Sequence, residues 1–193
     1  LSWLKAISRF RGTHSAAPNF AYEFCMKIPD EKKESLDLKS WIYSINGAEP
    51  VSFSTIEKFN KCFQKQGLSP LTVSPGYGLA ESILKVTCIA ASEKFSYLWL
   101  NRKALFNNKV LIQTENQKEN GKAVVNCGKN HIGLNIRIVN PNNFEPVKDD
   151  EIGEIWINGP TVSRGYWENP EATRETFHAT LSDEPEGTFF LRT

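Results

Sequence analysis

Trp41-Ile42-Tyr43-Ser44-Ile45 runs straight into Asn46-Gly47-Ala48-Glu49-Pro50, and a helical pattern follows. The first five residues are aromatic or β-branched apart from Ser44, the composition of a short strand. Beyond the loop, Ile56, Phe59, Cys62 and Phe63 recur at helical spacing, and Gly67 supplies a stop signal. Ser54 and Glu57 have capping-box spacing, with Ser52 as an alternative start. The unit then repeats. Residues 71–74 read as a second strand, Pro75-Gly76-Tyr77-Gly78 as a turn, and Leu79 as the start of a further helix. Strand, loop, helix, repeated, predicts a parallel α/β sheet. Ligands of such sheets bind beyond the carboxyl ends of the strands, where both loops fall.

Upstream, Leu1, Leu4 and Ile7 share one helical face, with Lys5 and Arg9 opposite and Gly12 as the stop. Pro18-Asn19 opens another helix carrying Ala21, Phe24, Cys25 and Ile28 at helical spacing, with Asn19 as the expected N-cap. Residues 29–40 read as a charged surface connection. Downstream, 99–106 read as a short helix, and 110–112 and 123–125 as strands around a polar loop, 115–121. From Gly128 the pattern turns β-rich: Leu134, Ile136 and Ile138 alternate with polar residues, and Ile155 and Ile157 alternate with Glu154 and Trp156. A small antiparallel barrel or sheet is expected there. The predicted organisation is α/β: residues 1–126 form part of a parallel α/β sheet subdomain, with an insertion at about 95–125, and 127–193 form a small β-rich, barrel-like subdomain.

Composition bounds the partners. The 193 residues carry 23 Lys+Arg against 22 Asp+Glu, a net charge of +1, which argues against both a basic nucleic-acid grip and an acidic tail. Hydrophobic residues at 40% and charged residues at 23% are globular proportions. The apolar run around Ile89 to Ala91 is too short for a membrane span. Cys25, Cys62, Cys88 and Cys127 form no Cys-x-x-Cys and read as structural thiols of a reducing, cytoplasmic compartment. His14, His131 and His178 are isolated, which argues against a histidine metal site. The chain opens at Leu1 inside a helical pattern and stops at Thr193 just after Phe189-Phe190, so it is expected to be a piece of a longer protein.

Two segments carry candidate chemistry. Gly76-Tyr77-Gly78-Leu79-Ala80-Glu81 nearly matches a dinucleotide-binding fingerprint, but Glu81 stands where the third glycine belongs and would repel a pyrophosphate. One reading is a tight turn that uses glycine for steric reasons. The other is ATP chemistry: Tyr77 offers a ring to a purine, backbone N–H groups at a helix start face a phosphate, and Glu81 offers a hard oxygen to Mg²⁺. In Asn46-Gly47-Ala48-Glu49-Pro50 the small residues admit a flat base, and Asn46 reads its edge; the alternative is a plain strand-to-helix loop.

An ordered set of motifs then makes a resemblance specific. Asn46-Gly47-Ala48-Glu49-Pro50 and Tyr77-Gly78-Leu79-Ala80-Glu81 are followed by Gly153-Glu154-Ile155-Trp156-Ile157-Asn158-Gly159-Pro160 and by Gly165-Tyr166-Trp167 with Pro170 and Phe177. Together they resemble the adenylate-forming superfamily of acyl-CoA synthetases, luciferases and peptide-synthetase adenylation domains. Ile7-Ser8-Arg9-Phe10-Arg11, Ala17-Pro18-Asn19-Phe20-Ala21-Tyr22, Ala80 and Val125-Asn126-Cys127-Gly128 resemble the fatty-acyl-AMP ligase branch. The likeness covers essentially the whole chain.

That resemblance implies an enzyme that activates a fatty acid with ATP to acyl-adenylate, releasing pyrophosphate. The acyl group would pass to an acyl carrier protein or a carrier domain of a polyketide or peptide synthase. It implies that Asn46, Gly47, Ala48, Glu49 and Pro50 line the adenine and acyl sites. Tyr77 would stack on adenine, and Gly78, Leu79 and Ala80 would pass near the α-phosphate. Glu81 would hold Mg²⁺ as the catalytic and metal-binding carboxylate, and Pro18, Asn19 and Phe20 would line the acyl tunnel. The segment from Gly153 to Phe177 reads as structural. In this branch the insertion is associated with rejection of free CoA. The family's phosphate loop, ribose-binding aspartate and C-terminal lysine lie outside these residues, so the piece alone is expected to be inactive. Lys129-Asn130-His131 departs from the usual pattern. The rival readings are a fatty-acyl-CoA ligase and a non-catalytic nucleotide- or partner-binding module.

Overall fold

The computed structural model describes residues 2–114, 120–130 and 133–193. It divides into two units, each made of three segments of the chain. The first comprises Leu1–Gly78, Thr87–Leu98 and Ala123–Lys129; the second comprises Leu79–Val86, Trp99–Lys122 and Asn130–Thr193. Residues 115–119 of the expected polar loop, and His131, lie outside the described residues.

In the first unit, α1 (Ser2–Phe10), β1 (His14–Ala17), α2 (Asn19–Met26), the single-turn α3 (Asp30–Lys33), β2 (Tyr43–Asn46), α4 (Phe53–Phe63), β3 (Val73–Tyr77) and β4 (Thr87–Cys88) follow in order. The sheet order is β1-β2-β3-β4. The first three strands are parallel, with Ala16 opposite Ile45 and Ile45 opposite Ser74, while β4 runs antiparallel to β3. The expected parallel α/β sheet is present, with β1 as a strand the sequence reading left unassigned. Leu4, Tyr22, Trp41, Ile56, Phe59 and Phe63 are at most 1% exposed and form one core. Burying each such side chain is worth roughly 1.5–3 kcal/mol. Edge-on ring pairs order it: Trp3 with Trp41 at 5.1 Å and Tyr22 with Phe59 at 5.0 Å.

Several local expectations change for physical reasons. The left-handed residue that ends α1 is Arg11 (φ 55), not Gly12. Asn19 is the first residue of α2, Pro18 is its N-cap, and the Asn19 side chain is engaged elsewhere. The α4 cap is Ser52, whose hydroxyl accepts from Thr55 N. Residues 29–40 are not merely surface, because Lys33, Leu36 and Leu38 are buried. Pro75, Gly76 and Tyr77 continue β3 instead of turning. No α-helix follows Gly78; a single 3₁₀ turn spans Ala80–Ser82.

The second unit holds β7 (Asn135–Val139), β8 (Glu154–Asn158), α6 (Pro170–Phe177) and β9 (Leu191–Arg192). β7-β8-β9 form a three-stranded antiparallel sheet, so the β-rich expectation is realised as a small sheet. Val139, Trp156, Leu181 and Phe190 make its core. Trp156 turns inward beside Ile157, against simple alternation. Arg192 grips Glu154 with two 3.0 Å bonds, the bidentate geometry a guanidinium favours.

Between these segments run β5 (Tyr97–Asn101), α5 (Arg102–Phe106) and β6 (Gly121–Val125), so the expected helix over 99–106 is half strand and half helix. Among the described residues, no helix is long and apolar enough to cross a membrane.

Candidate active site

In the first unit the loop after β2 is held by one side chain. The Asn19 amide donates to Pro50 O at 2.9 Å, and its Oδ1 accepts from Ser52 N and from the Asn46 side chain, each at 2.9 Å. Glu49 Oε1 accepts from Phe20 N at 3.3 Å. The 18–20 and 46–50 segments, separate in sequence, are thereby brought together. Asn19 and Asn46 are both buried, whereas Phe20 is 55% exposed. Ala48 sits at φ 65, a left-handed position that a non-glycine residue occupies only when its surroundings hold it there.

Gly47 is constrained by its neighbouring strand. A Cβ there would stand 2.9 Å from Gly76 O, so its bareness lets the loop pass the neighbouring strand. Gly76 is equally constrained, since a Cβ would meet Ile45 Cγ2 at 2.9 Å. The need for glycine at both positions therefore comes from the close packing of β2 and β3, not from a turn at Gly76. Two buried polar atoms at this strand edge, Asn46 Oδ1 and Ser74 Oγ, have no hydrogen-bond partner among the described residues. Buried acceptors without partners are costly, and a bound polar ligand is one way such a cost is met. Tyr77, at the end of β3, is half-buried.

Leu79, Ala80 and Glu81 belong to the second unit, and there Glu81 is fastened three ways. Ser163 N donates to Glu81 O at 2.8 Å, the adjacent Ser82 hydroxyl meets Thr161 Oγ1 at 2.9 Å, and the Tyr166 phenol donates to Glu81 Oε1 at 2.8 Å. The carboxylate holds the Tyr166 phenol above the ordinary tyrosine range. Tyr166 is itself positioned by α6. Asn169 caps that helix at Ala172 N, Thr173 Oγ1 accepts from Tyr166 N at 2.9 Å, and Phe177 lies edge-on to the Tyr166 ring at 5.2 Å. Gly165 is required at φ 140, because a Cβ would stand 2.3 Å from Thr173 Cγ2. The segment from Gly153 to Phe177, read as structural from sequence, thus reaches the candidate metal ligand directly. Sequence reasoning did not connect Tyr166 to the candidate residue Glu81, and only its place in the Gly165-Tyr166-Trp167 motif signalled it.

The residues present fit one hard cation shared with a substrate. Glu81 is half-buried, and its second carboxylate oxygen has no protein partner among the described residues. Among those residues no group of three or more His, Cys, Asp and Glu could hold a metal. Magnesium at a nucleotide site needs no such group, since one or two carboxylates with substrate phosphates suffice. Just beyond Glu81, Ile83 (φ 48) and Leu84 (φ 73) are left-handed and about 70% exposed, a conformation that apolar residues adopt rarely and that no sequence pattern announced.

The chain is 41% identical over 191 residues to the medium-chain-fatty-acid–[acyl-carrier-protein] ligase JamA of Moorena producens, covering 98% of this chain and 32% of that protein. It is 34% identical over 185 residues to the long-chain-fatty-acid–AMP ligase FadD32 of Mycobacterium marinum, covering 93% and 29%. Among solved structures it resembles the fatty acyl-adenylate ligase of Legionella pneumophila in complex with acyl adenylate and pyrophosphate. There the TM-score is 0.92 and the identity 36%, covering 100% of this chain and 33% of that one. The chain therefore spans about a third of the length of these relatives. The AMP-binding enzyme family matches residues 1–167. The chain belongs to the AMP-binding enzyme family.

Proposed function

We propose that the protein carrying this chain is a fatty-acyl-AMP ligase. It activates a fatty acid with ATP, releases pyrophosphate and delivers the acyl group to an acyl carrier protein or a synthase carrier domain. The observation that carries the reading is the likeness, over the whole chain, to a ligase solved with acyl adenylate and pyrophosphate. Relatives named as acyl-carrier-protein ligases support the acceptor. None of the four cysteines is in a disulfide, which supports a cytoplasmic setting.

In this reading a carboxylate oxygen of the fatty acid attacks the α-phosphorus, and the bond from that phosphorus to the bridging oxygen breaks. The chemistry is mostly alignment and charge stabilisation. Tyr77 stacks on adenine, and the Asn46–Pro50 loop, braced by Asn19, lines the adenine and acyl sites. The buried Asn46 Oδ1 is an acceptor for a donor on the ligand. Gly78, Leu79 and Ala80 run beside the α-phosphate, and Pro18, Asn19 and Phe20 border the acyl chain. Glu81 would hold Mg²⁺, with Tyr166 fixing the carboxylate. Magnesium there would neutralise charge on the phosphate oxygens.

The test is fatty-acid-dependent ATP–pyrophosphate exchange by the intact protein. Acyl transfer to a phosphopantetheinylated carrier protein is then measured beside transfer to CoA. Exchange with carrier loading and little acyl-CoA is expected. Efficient acyl-CoA formation would assign an acyl-CoA ligase instead, and absence of exchange would assign a non-catalytic module.

A further inference from the structure

In the first unit, α3 and α4 bring together a lysine and a cysteine that adenylate chemistry does not use. Lys33 Nζ donates to Cys62 Sγ at 3.2 Å and to Asp30 Oδ1 at 3.0 Å, and lies 5.6 Å from the Phe63 ring centroid. The Lys33 side chain is 9% exposed, while that of its partner Asp30 is 92% exposed. A full cation is thus held beneath the surface, balanced by one carboxylate that faces water. Lysine is almost never buried without a strong partner. The neutral thiol is a weak acceptor and satisfies that ammonium poorly. Cys62 is half-buried, whereas Cys25 on α2 is buried.

We propose that Cys62 is a peroxide-oxidisable thiol whose sulfenic acid is held by the Lys33 ammonium, which makes the pair a redox modification site. The step balances with hydrogen peroxide as oxidant. The Cys62 thiol releases its proton, the thiolate sulfur attacks one peroxide oxygen, the S–O bond forms and the O–O bond breaks. The departing hydroxide takes the thiol proton and leaves as water. Sulfur gives up two electrons, and the peroxide is reduced. The new oxygen is a strong acceptor beside Nζ, so oxidation converts a weak contact into a charge-assisted hydrogen bond. The Asp30 carboxylate, followed by the contact with Cys62, keeps the Lys33 ammonium above the ordinary lysine range despite burial. An ammonium has no lone pair to attack the oxidised sulfur. The chemistry therefore stops at the sulfenic acid and does not go on to a sulfur–nitrogen bond.

Cys25 is an internal comparison, because burial pushes its thiol up and disfavours the reactive form. The experiment exposes the intact protein to dilute hydrogen peroxide with dimedone present and quantifies adducts on each cysteine peptide by mass spectrometry. Cys62 should be labelled about tenfold faster than Cys25, and that selectivity should vanish in urea. Lys33→Arg should retain most of the labelling, and Lys33→Met should lower it by about tenfold. Equal labelling of Cys62 and Cys25 in the folded protein would overturn the proposal, as would undiminished labelling in a folded Lys33→Met protein. A Lys33–Cys62 cross-linked peptide in place of the adduct would overturn the assigned end state. If Lys33→Met does not fold, the folded-versus-urea comparison in the unaltered protein decides.

Discussion

The phenol of Tyr166 donates a 2.8 Å hydrogen bond to Oε1 of Glu81, across 85 residues of sequence. The bond engages one carboxylate oxygen and fixes the plane in which the other, the proposed Mg²⁺ ligand, is presented. Tyr166→Phe removes that restraint and the phenol's hydrogen bond with Thr176, while the ring still meets Phe177. A hydrogen bond of this kind contributes about 0.5–1.5 kcal/mol. The Mg²⁺ concentration for half-maximal adenylation should rise roughly two- to tenfold, with the melting temperature nearly unchanged. An unaltered Mg²⁺ midpoint would mean that the carboxylate orients without the phenol.

Glu81→Gln keeps the shape and an oxygen for Tyr166 but removes the charge. Loss of one charge-stabilising contact commonly costs about 10²–10³ in rate. Adenylation should fall by that factor while the circular dichroism spectrum stays the same. Near-normal turnover at limiting Mg²⁺ would reduce Glu81 to a residue of the 3₁₀ turn.

Asn19 is the brace of the loop after β2. Asn19→Ala removes three hydrogen bonds, to Pro50 O, Ser52 N and the Asn46 amide. At about 1 kcal/mol each, and with Asn46 left still less satisfied, the change should destabilise by about 2–4 kcal/mol. Thermal or urea unfolding measures the loss, and the KM for ATP should rise with it. A wild-type melting curve would show that the left-handed Ala48 holds its conformation without this support.

These two braces show what was legible in the sequence. The strand at 43–46 and the helix at 53–63 follow from β-branched and helical periodicity, which burial reinforces, and the parallel sheet follows from them. Motif order singled out Glu81, Tyr77 and the Asn46–Pro50 loop. Asn19, however, has the composition of an N-cap, and its side chain is drawn instead to backbone groups of a loop 31 residues away, which no local rule encodes. The helix expected after Gly78 fails because Ile83 and Leu84 turn left-handed after one 3₁₀ turn. Tyr166 escaped because its partner is 85 residues distant. Long-range pairing decides these positions, and periodicity does not register it.

Tyr22 carries a pH dependence. It is fully buried, its hydroxyl meets Ser44 Oγ at 2.7 Å, and burial pushes its phenol well above the usual tyrosine range; the Ser44 bond only partly offsets this. A folded-state value raised above the unfolded one means that this contribution is fully present below about pH 10. It is lost as the pH climbs from there through the folded value. Stability measured by urea unfolding should therefore decline above about pH 10 more steeply in the wild type than in Tyr22→Phe. At pH 7 that variant should instead be weaker by about 1–3 kcal/mol, because Ser44 loses its buried partner. Parallel alkaline profiles would sink the assignment.

Between β5 and β6 the chain is locally tied within the second unit. Gln113 N donates to Trp99 O at 2.7 Å, Asn101 N to Leu111 O at 2.9 Å, and the Arg102 guanidinium to Gly121 O at 2.9 Å. Asn101 also caps α5 at Ala104 N, and Leu100 is buried while Leu98 stays half exposed. Replacing residues 115–119 by a short glycine linker touches none of these bonds, so the melting temperature should hold. Replacing 102–119 removes all of them except the hydrogen-bonding capacity of Trp99 and Asn101, so stability should drop. The shorter deletion should raise acyl-CoA output in the intact protein while acyl-AMP formation is unchanged. The check is to quantify acyl-AMP and acyl-CoA separately for both deletions. Unchanged acyl-CoA with normal acyl-AMP in the 115–119 variant would show that this tip does not gate the acceptor. A rise confined to the 102–119 variant would place the gate in the hydrogen-bonded part around α5.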